Sequence, residues 1–154
     1  MRYYTLNITR AFLREGKESY AATPENIVKY ALEYCYEKKD LWREQSFLIF
    51  MNNSNLIEGH YLLGMGGTDS VTMDKRLACM AMLGANATRA VLVHNHPSGN
   101  PAPGQSDLLV TEEIKKAFAA IGCNLLDHVI IGDDEHFSYC QEKKFKVKSD
   151  PHED

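Results

Sequence analysis

Residues 90–107 read AVLVHNHPSGNPAPGQSD and carry the most informative pattern in the chain. The first four of these residues are apolar and predict a buried strand, and a helical pattern begins near Asp107. His94 and His96 are two residues apart on an extended segment, so their side chains point to the same side of the backbone. A carboxylate at the start of the next helix can turn back toward them. Two imidazoles and one carboxylate are a ligand set that a catalytic zinc takes, with the fourth position left for water.

The context of the two histidines favours a metal site over a chance pairing. An HxH pattern alone is weak evidence, but this one lies at a strand end, in a Pro/Gly loop, ahead of an acid that begins a helix. Asp107 is also a favourable charge at a helix N-terminus, and it can serve in both ways. Ser106 is the predicted N-cap of that helix.

Length and composition describe one globular domain, predicted to span residues 1–154. The 154 residues are 44% hydrophobic and 25% charged, with a formal net charge of −4, which disfavours nucleic acid as a partner. A small basic run at 143–148 is interpreted as a solvated edge. The N-terminus lacks the apolar segment of a signal peptide, and no apolar run is long enough to cross a membrane.

The four cysteines predict reduced thiols. They lie far apart in the sequence, without a CxxC pair, and are Cys35, Cys79, Cys123 and Cys140. Partly buried, unpaired thiols are typical of an intracellular protein, so we expect a cytoplasmic location.

The order of predicted elements mixes helices and strands in an α/β (α+β) domain. Thr23 and Pro24 mark a helix start, and Gly122 marks the end of the helix that begins near Asp107. Residues 74–86 form a helix whose apolar run 77–83 predicts burial on most sides. The predicted strands are 47–51, a hairpin return at 56–63, 89–93, 125–131 and 136–140. The core is expected over about 24–140, followed by a polar, frayed tail at 141–154.

Hydrolysis at such a site also needs a general base that takes a proton from water and returns it to the leaving amine. Glu44, just before the strand at 47–51, is the candidate, although it could equally be an exposed carboxylate beside Arg43. Glu58, on the hairpin return, is the weaker candidate.

The pattern resembles the JAB/MPN family of zinc metalloproteases, which carry the JAMM motif: an upstream glutamate, then HxH, seven residues, Ser, two residues and Asp. The closer similarity is to its RadC-like branch, through residues 94–99 (HNHPSG) and over about 24–140. It extends through Gly67-Thr68, Gly84-Ala85-Asn86-Ala87, Val91-Leu92-Val93 and residues 125–132, which read LLDHVIIG.

The resemblance implies both a fold and an activity. The fold is a curved mixed β-sheet flanked by helices, related to cytidine deaminase-like folds. His94, His96 and Asp107 match the family's metal ligands, and Glu44 matches its upstream glutamate. The implied cofactor is zinc, and the implied reaction is hydrolysis of a peptide or isopeptide bond in a protein or peptide substrate.

One departure from the motif concerns catalysis. Gly104 stands where the family carries its serine, whose hydroxyl helps to stabilise the oxyanion, and loss of one such donor costs on the order of 10²–10³ in rate. Ser98 or a backbone N–H could substitute, and glycine could instead be required there for a positive φ. The alternative function is therefore a non-catalytic module that binds a metal or a partner.

Two further functions are disfavoured. The helix-hairpin-helix region of full-length RadC proteins has no counterpart in these residues, so association with DNA repair rests on the family label alone. A deaminase would need HxE with a later PCxxC, and the sequence contains neither.

Overall fold

The computed structural model describes residues 6–10, 22–37, 41–67 and 71–147. Of the predicted domain, residues 1–5, 11–21, 38–40, 68–70 and 148–154 lie outside the described part of the chain. Seven strands form one sheet in the order β1-β3-β2-β4-β5-β6-β7. They are β1 (Thr9–Arg10), β2 (Gln45–Met51), β3 (Ile57–Met65), β4 (Arg89–Asn95), β5 (Asn124–Ile131), β6 (His136–Ser138) and β7 (Lys143–Phe145). Only β4 and β5 pair in parallel among these strands.

Three α-helices flank the sheet: α1 (Pro24–Tyr30), α2 (Lys75–Gly84) and α3 (Gln105–Ala120), and α1 continues into a π-helical turn at Ala31–Cys35. The predicted cap of α1 is confirmed, because the Thr23 hydroxyl accepts a hydrogen bond from the Asn26 N–H at 3.2 Å. In the described ranges, every helix is too short or too polar to cross a membrane. The predicted class, a mixed sheet flanked by helices, is confirmed.

The sheet has a hydrophobic core on each face. On one face, α1 and the π-helical turn pack on alternate residues of β2, β4 and β5. On the other face, α2 and α3 pack on the residues between them. β4 is buried from Ala90 to Asn95, as a strand covered on both faces must be. The polar side chains at its end are therefore held in a dry, packed environment.

The prediction that α2 is buried on most sides is wrong. Only Ala78, Ala81 and Met82 form a buried stripe, while Met80 and Leu83 are 50% and 62% exposed. Two of the three buried residues are alanines, and no other element in the described part of the chain covers the outer face of α2. Apolar composition thus overstated the burial of this helix.

The prediction that the chain is frayed from residue 141 onward is wrong for residues 143–145. Lys143–Phe145 form β7, which pairs with β6, and the Phe145 ring packs against His136 at 5.5 Å. The core therefore extends past residue 140. Lys143 and Lys144 are exposed at the sheet edge, in agreement with a solvated basic edge.

Candidate metal centre

The structure brings together the four residues that the sequence singled out. Their ligand atoms all lie within 4.8 Å of one another. The Nε2 atom of His94 is 3.0 Å from Nε2 of His96, 3.3 Å from Oδ1 of Asp107 and 3.6 Å from Oε1 of Glu44. Nε2 of His96 is 3.4 Å from Oδ2 of Asp107. These atoms come from the end of β4, the first turn of α3 and the residue before β2.

The donor set fits a tetrahedral divalent metal. In a tetrahedron with bonds of about 2.0 Å, neighbouring ligand atoms are about 3.3 Å apart. The separations among His94, His96 and Asp107 are 3.0, 3.3 and 3.4 Å. Two imidazole nitrogens and a carboxylate are ligands that zinc accepts. These three residues could therefore hold a metal ion.

A backbone carbonyl fixes the orientation of His96. Its Nδ1 lies 2.9 Å from the carbonyl oxygen of Asn100, which can only accept, so Nδ1 carries the proton and donates it. The interaction with Asp107 raises the pKa of His96, although burial acts in the opposite direction. In the neutral ring, the Nε2 lone pair faces the centre of the cluster.

Asp107 serves the helix and the cluster at once. It is the third residue of α3, and its Oδ2 accepts the Gly104 N–H at 2.8 Å. Burial opposes its ionisation, but His94, His96 and the Gly104 N–H together hold its pKa well below the usual range. Gly104 rather than Ser106 is the N-cap, so that prediction is wrong. Bonding of the Gly104 N–H to the Asp107 carboxylate starts the helix earlier than expected.

Glu44 is held beside the histidines by Asn95, the middle residue of the HxH pattern. The Asn95 amide donates to the carbonyls of Leu41 and Arg43 at 3.1 and 3.0 Å, and its oxygen accepts the Gln45 N–H at 2.9 Å. These bonds bracket Glu44 on both sides. Burial raises the pKa of Glu44, partly offset by His94 and His96.

The weaker candidate base is not part of the cluster. Glu58 lies exposed on β3, outside the group of residues that could hold a metal. Of the two carboxylates weighed from the sequence, Glu44 is the one that lies in the cluster.

Sequence reasoning missed two residues behind His94. The Nδ1 atom of His94 lies 2.7 Å from Nε2 of His128 on β5, and Nδ1 of His128 lies 2.6 Å from the hydroxyl of Thr111 on α3. Burial, and then His94, lower the pKa of His128 well below its usual value. The signal that could have found His128 is a histidine inside the apolar strand at 125–131, because a buried polar side chain requires a partner.

Gly99 fastens the loop that carries His96. It has φ +81°, and a Cβ there would collide with the carboxylate of Asp133. Its carbonyl accepts the Asp133 N–H at 3.0 Å, which binds the loop to the turn between β5 and β6. Glycine adopts the positive φ without strain and has no Cβ to collide with Asp133.

A cavity of about 500 Å³ adjoins the cluster, a volume in the range of ligand sites. Its polar end holds Glu44, His96 and Asp107, and both Ser98 and Ser106 contribute to its lining. Its remaining wall is mainly apolar and is formed by Val71, Met73, Pro97, Ala102 and Val110.

Gly104, which also lines the cavity, has φ −83° and ψ 168°. The interpretation that glycine is required there for a positive φ is therefore wrong.

Comparison with known proteins shows which family most of the chain matches. The family model described as RadC-like JAB domain matches residues 21–145. The chain belongs to this family. The RadC-like match includes all four residues of the cluster together with Asn95, Thr111 and His128, and it confirms the resemblance seen in the sequence.

Curated relatives of this RadC-like chain are UPF0758 proteins. One from Coprothermobacter proteolyticus is 30% identical over 141 residues, which are 90% of this chain and 60% of the relative. One from Thermotoga maritima is 36% identical over 110 residues, 71% of this chain and 50% of the relative. One from Listeria innocua is 33% identical over 128 residues, 83% of this chain and 56% of the relative. The chain thus spans between half and three-fifths of the length of these relatives.

Proposed function

We propose that the protein is a zinc-dependent hydrolase of the JAMM type that cleaves a peptide or isopeptide bond. The observation that carries the proposal is the convergence of His94, His96 and Asp107 at tetrahedral spacing, with Glu44 3.6 Å from Nε2 of His94. This group lies at the polar end of the cavity, where a substrate carbonyl can approach it.

The roles of the side chains follow from their positions. When bound, the metal would lower the pKa of a water molecule and polarise the substrate carbonyl. Glu44 takes one proton from the attacking water as the water oxygen bonds to the carbonyl carbon. It then returns the proton to the amine nitrogen as the C–N bond breaks. The burial that raises the pKa of Glu44 suits both steps, since an effective base has a pKa nearer the working pH.

The cavity supports a peptide as the substrate. Val71, Met73 and Val110 form an apolar wall next to the polar end, which suits side chains that flank a scissile bond. The four free cysteines, one of them exposed, support a reducing compartment, and we place the protein in the cytoplasm.

Zinc content tests the metal part of the proposal. Protein purified without chelator should contain one zinc per chain by elemental analysis, and the His94→Ala/His96→Ala variant should lose it. The His60→Gln variant, which changes a buried histidine outside the cluster, is the matched control and should retain zinc. Wild-type protein that takes up no zinc even when it is supplied would refute the metal site.

A second variant tests the role of the base. Glu44→Gln should keep the zinc and abolish hydrolysis of a panel of peptide and isopeptide substrates. Zinc-loaded wild-type protein without turnover on that panel would favour the second candidate function, a binding module. The observation behind that alternative is Gly104, which takes the place of the motif serine.

A further inference from the structure

A chain of hydrogen bonds runs behind His94, on the side opposite to the metal position. His94 and His128 are fully buried, and Thr111 is nearly so. The successive distances are 2.7 Å from His94 to His128 and 2.6 Å from His128 to Thr111. The chain ends at the main-chain carbonyl of Asp107, 2.6 Å from the Thr111 hydroxyl. Tyr139 stacks on the His128 ring at 4.8 Å and 8°, which holds that ring in its plane.

The last bond sets the direction of the whole chain. A carbonyl oxygen only accepts, and the Thr111 hydroxyl has a single proton, which it donates to Asp107. The Thr111 oxygen must therefore accept the proton of Nδ1 of His128. A fully buried imidazole is neutral and carries one proton, so Nε2 of His128 is an acceptor. It accepts from Nδ1 of His94.

The direction matters because it selects one tautomer of His94. With its proton on Nδ1, His94 presents the Nε2 lone pair to His96 and Asp107, as a metal ligand must. If the hydrogen bonds ran in the opposite direction, Nε2 of His94 would carry the proton and could not coordinate a metal. For His96 the same choice is made by the Asn100 carbonyl, but the partner of His94 is another imidazole, which either donates or accepts. The tautomer of His94 therefore depends on the direction that Thr111 gives to the hydrogen bonds.

We propose that Thr111 and His128 are positioning residues that set the tautomer of His94 and leave its Nε2 free for the metal. This inference rests on the proposed metal site. Loss of such outer partners typically lowers metal affinity by about 10–100-fold.

A matched pair of variants tests the inference. Thr111→Val removes the hydroxyl at nearly constant shape, and Thr111→Ser keeps it. In ¹⁵N-labelled protein stripped of metal, NMR distinguishes the protonated ring nitrogen of His94 from the bare one. Wild type and Thr111→Ser should show one tautomer, protonated at Nδ1, and Thr111→Val should show both. Zinc affinity, from chelator competition, should fall about 10–100-fold in Thr111→Val and little in Thr111→Ser.

The outcomes separate this inference from the proposed function. A wild-type His94 protonated at Nε2 would overturn the inference even if the protein binds zinc, and so would equal tautomers and affinities in the two variants. Wild-type protein with the expected tautomer but without zinc affinity would support the direction of the hydrogen bonds and refute the metal site. If Thr111→Val does not fold, the wild-type tautomer, which needs no substitution, decides.

Discussion

Gly104→Ser is expected to increase turnover without disturbing the metal site. The φ and ψ of Gly104, −83° and 168°, are open to any residue. A Cβ there would lie 3.4 Å from Oδ2 of Asp107 and 3.8 Å from the hydroxyl of Ser106, both ordinary contacts. Serine therefore fits, and the Gly104 N–H that orients Asp107 is kept. The new hydroxyl would stand at the edge of the cavity, where the family motif has one.

The expected magnitudes differ sharply between stability and catalysis. Serine and glycine differ by only a few tenths of a kcal/mol as N-caps, so the free energy of unfolding should barely change. One oxyanion donor is worth about 10²–10³ in rate, which sets the upper bound of the gain. Because the charge develops only in the transition state, the increase belongs in kcat rather than in KM.

Steady-state kinetics on the peptide and isopeptide panel, with zinc content measured on the same samples, makes the comparison. Gly104→Ala is the control, since it adds the Cβ without the hydroxyl and should match the wild type. Equal kcat values for the serine and alanine variants would refute a missing oxyanion donor. A loss of zinc in both would show instead that the Cβ displaces Asp107.

Two further predictions concern buried side chains. Asn95→Asp loses the two bonds donated to the main chain before Glu44. At about 1–3 kcal/mol for each lost bond, the free energy of unfolding should fall by about 2–6 kcal/mol, and kcat should drop with zinc retained. Asn52→Asp is the control, because the Asn52 side-chain oxygen accepts from two N–H groups and aspartate preserves both bonds. Equal losses of unfolding free energy in the two variants would contradict this role of Asn95. Burial lowers the pKa of His60, so below about pH 6.5 the unfolded chain binds a proton that the folded protein does not, and stability falls by up to about 1.4 kcal/mol per pH unit. His60→Gln should therefore lose less stability between pH 7.5 and 5.5 in urea titrations, and an unchanged loss would contradict this assignment.

The convergence of His94, His96 and Asp107 was predictable because local geometry brings these three residues together. An alternating strand places His94 and His96 on one side whatever the rest of the fold does. Asp107 lies in the first turn of a helix that the sequence pattern predicts. The family resemblance added the mixed sheet and brought Glu44 to the site, which spacing along the chain alone does not do.

The supporting residues were not predictable, because their partners lie far away in the sequence. Asn95 meets Gln45 across 50 residues, and His94 meets His128 across 34. Both contacts depend on strand neighbours, β2 beside β4 and β4 beside β5, and on register. The exposed face of α2 escaped prediction for a related reason: an apolar helix surface becomes buried only when another element packs on it.

The order of β4 and β5 along the chain also sets the order in which the parts of the cluster are synthesised. His94 leaves the ribosome before residues 124–131, so the nascent chain carries this imidazole before its partner His128 has been synthesised. A metal that binds only the finished sheet stabilises it by mass action, by about 2.7 kcal/mol at a hundredfold excess over the Kd. The supply of a metal that binds this cluster would then influence how much of the protein is folded.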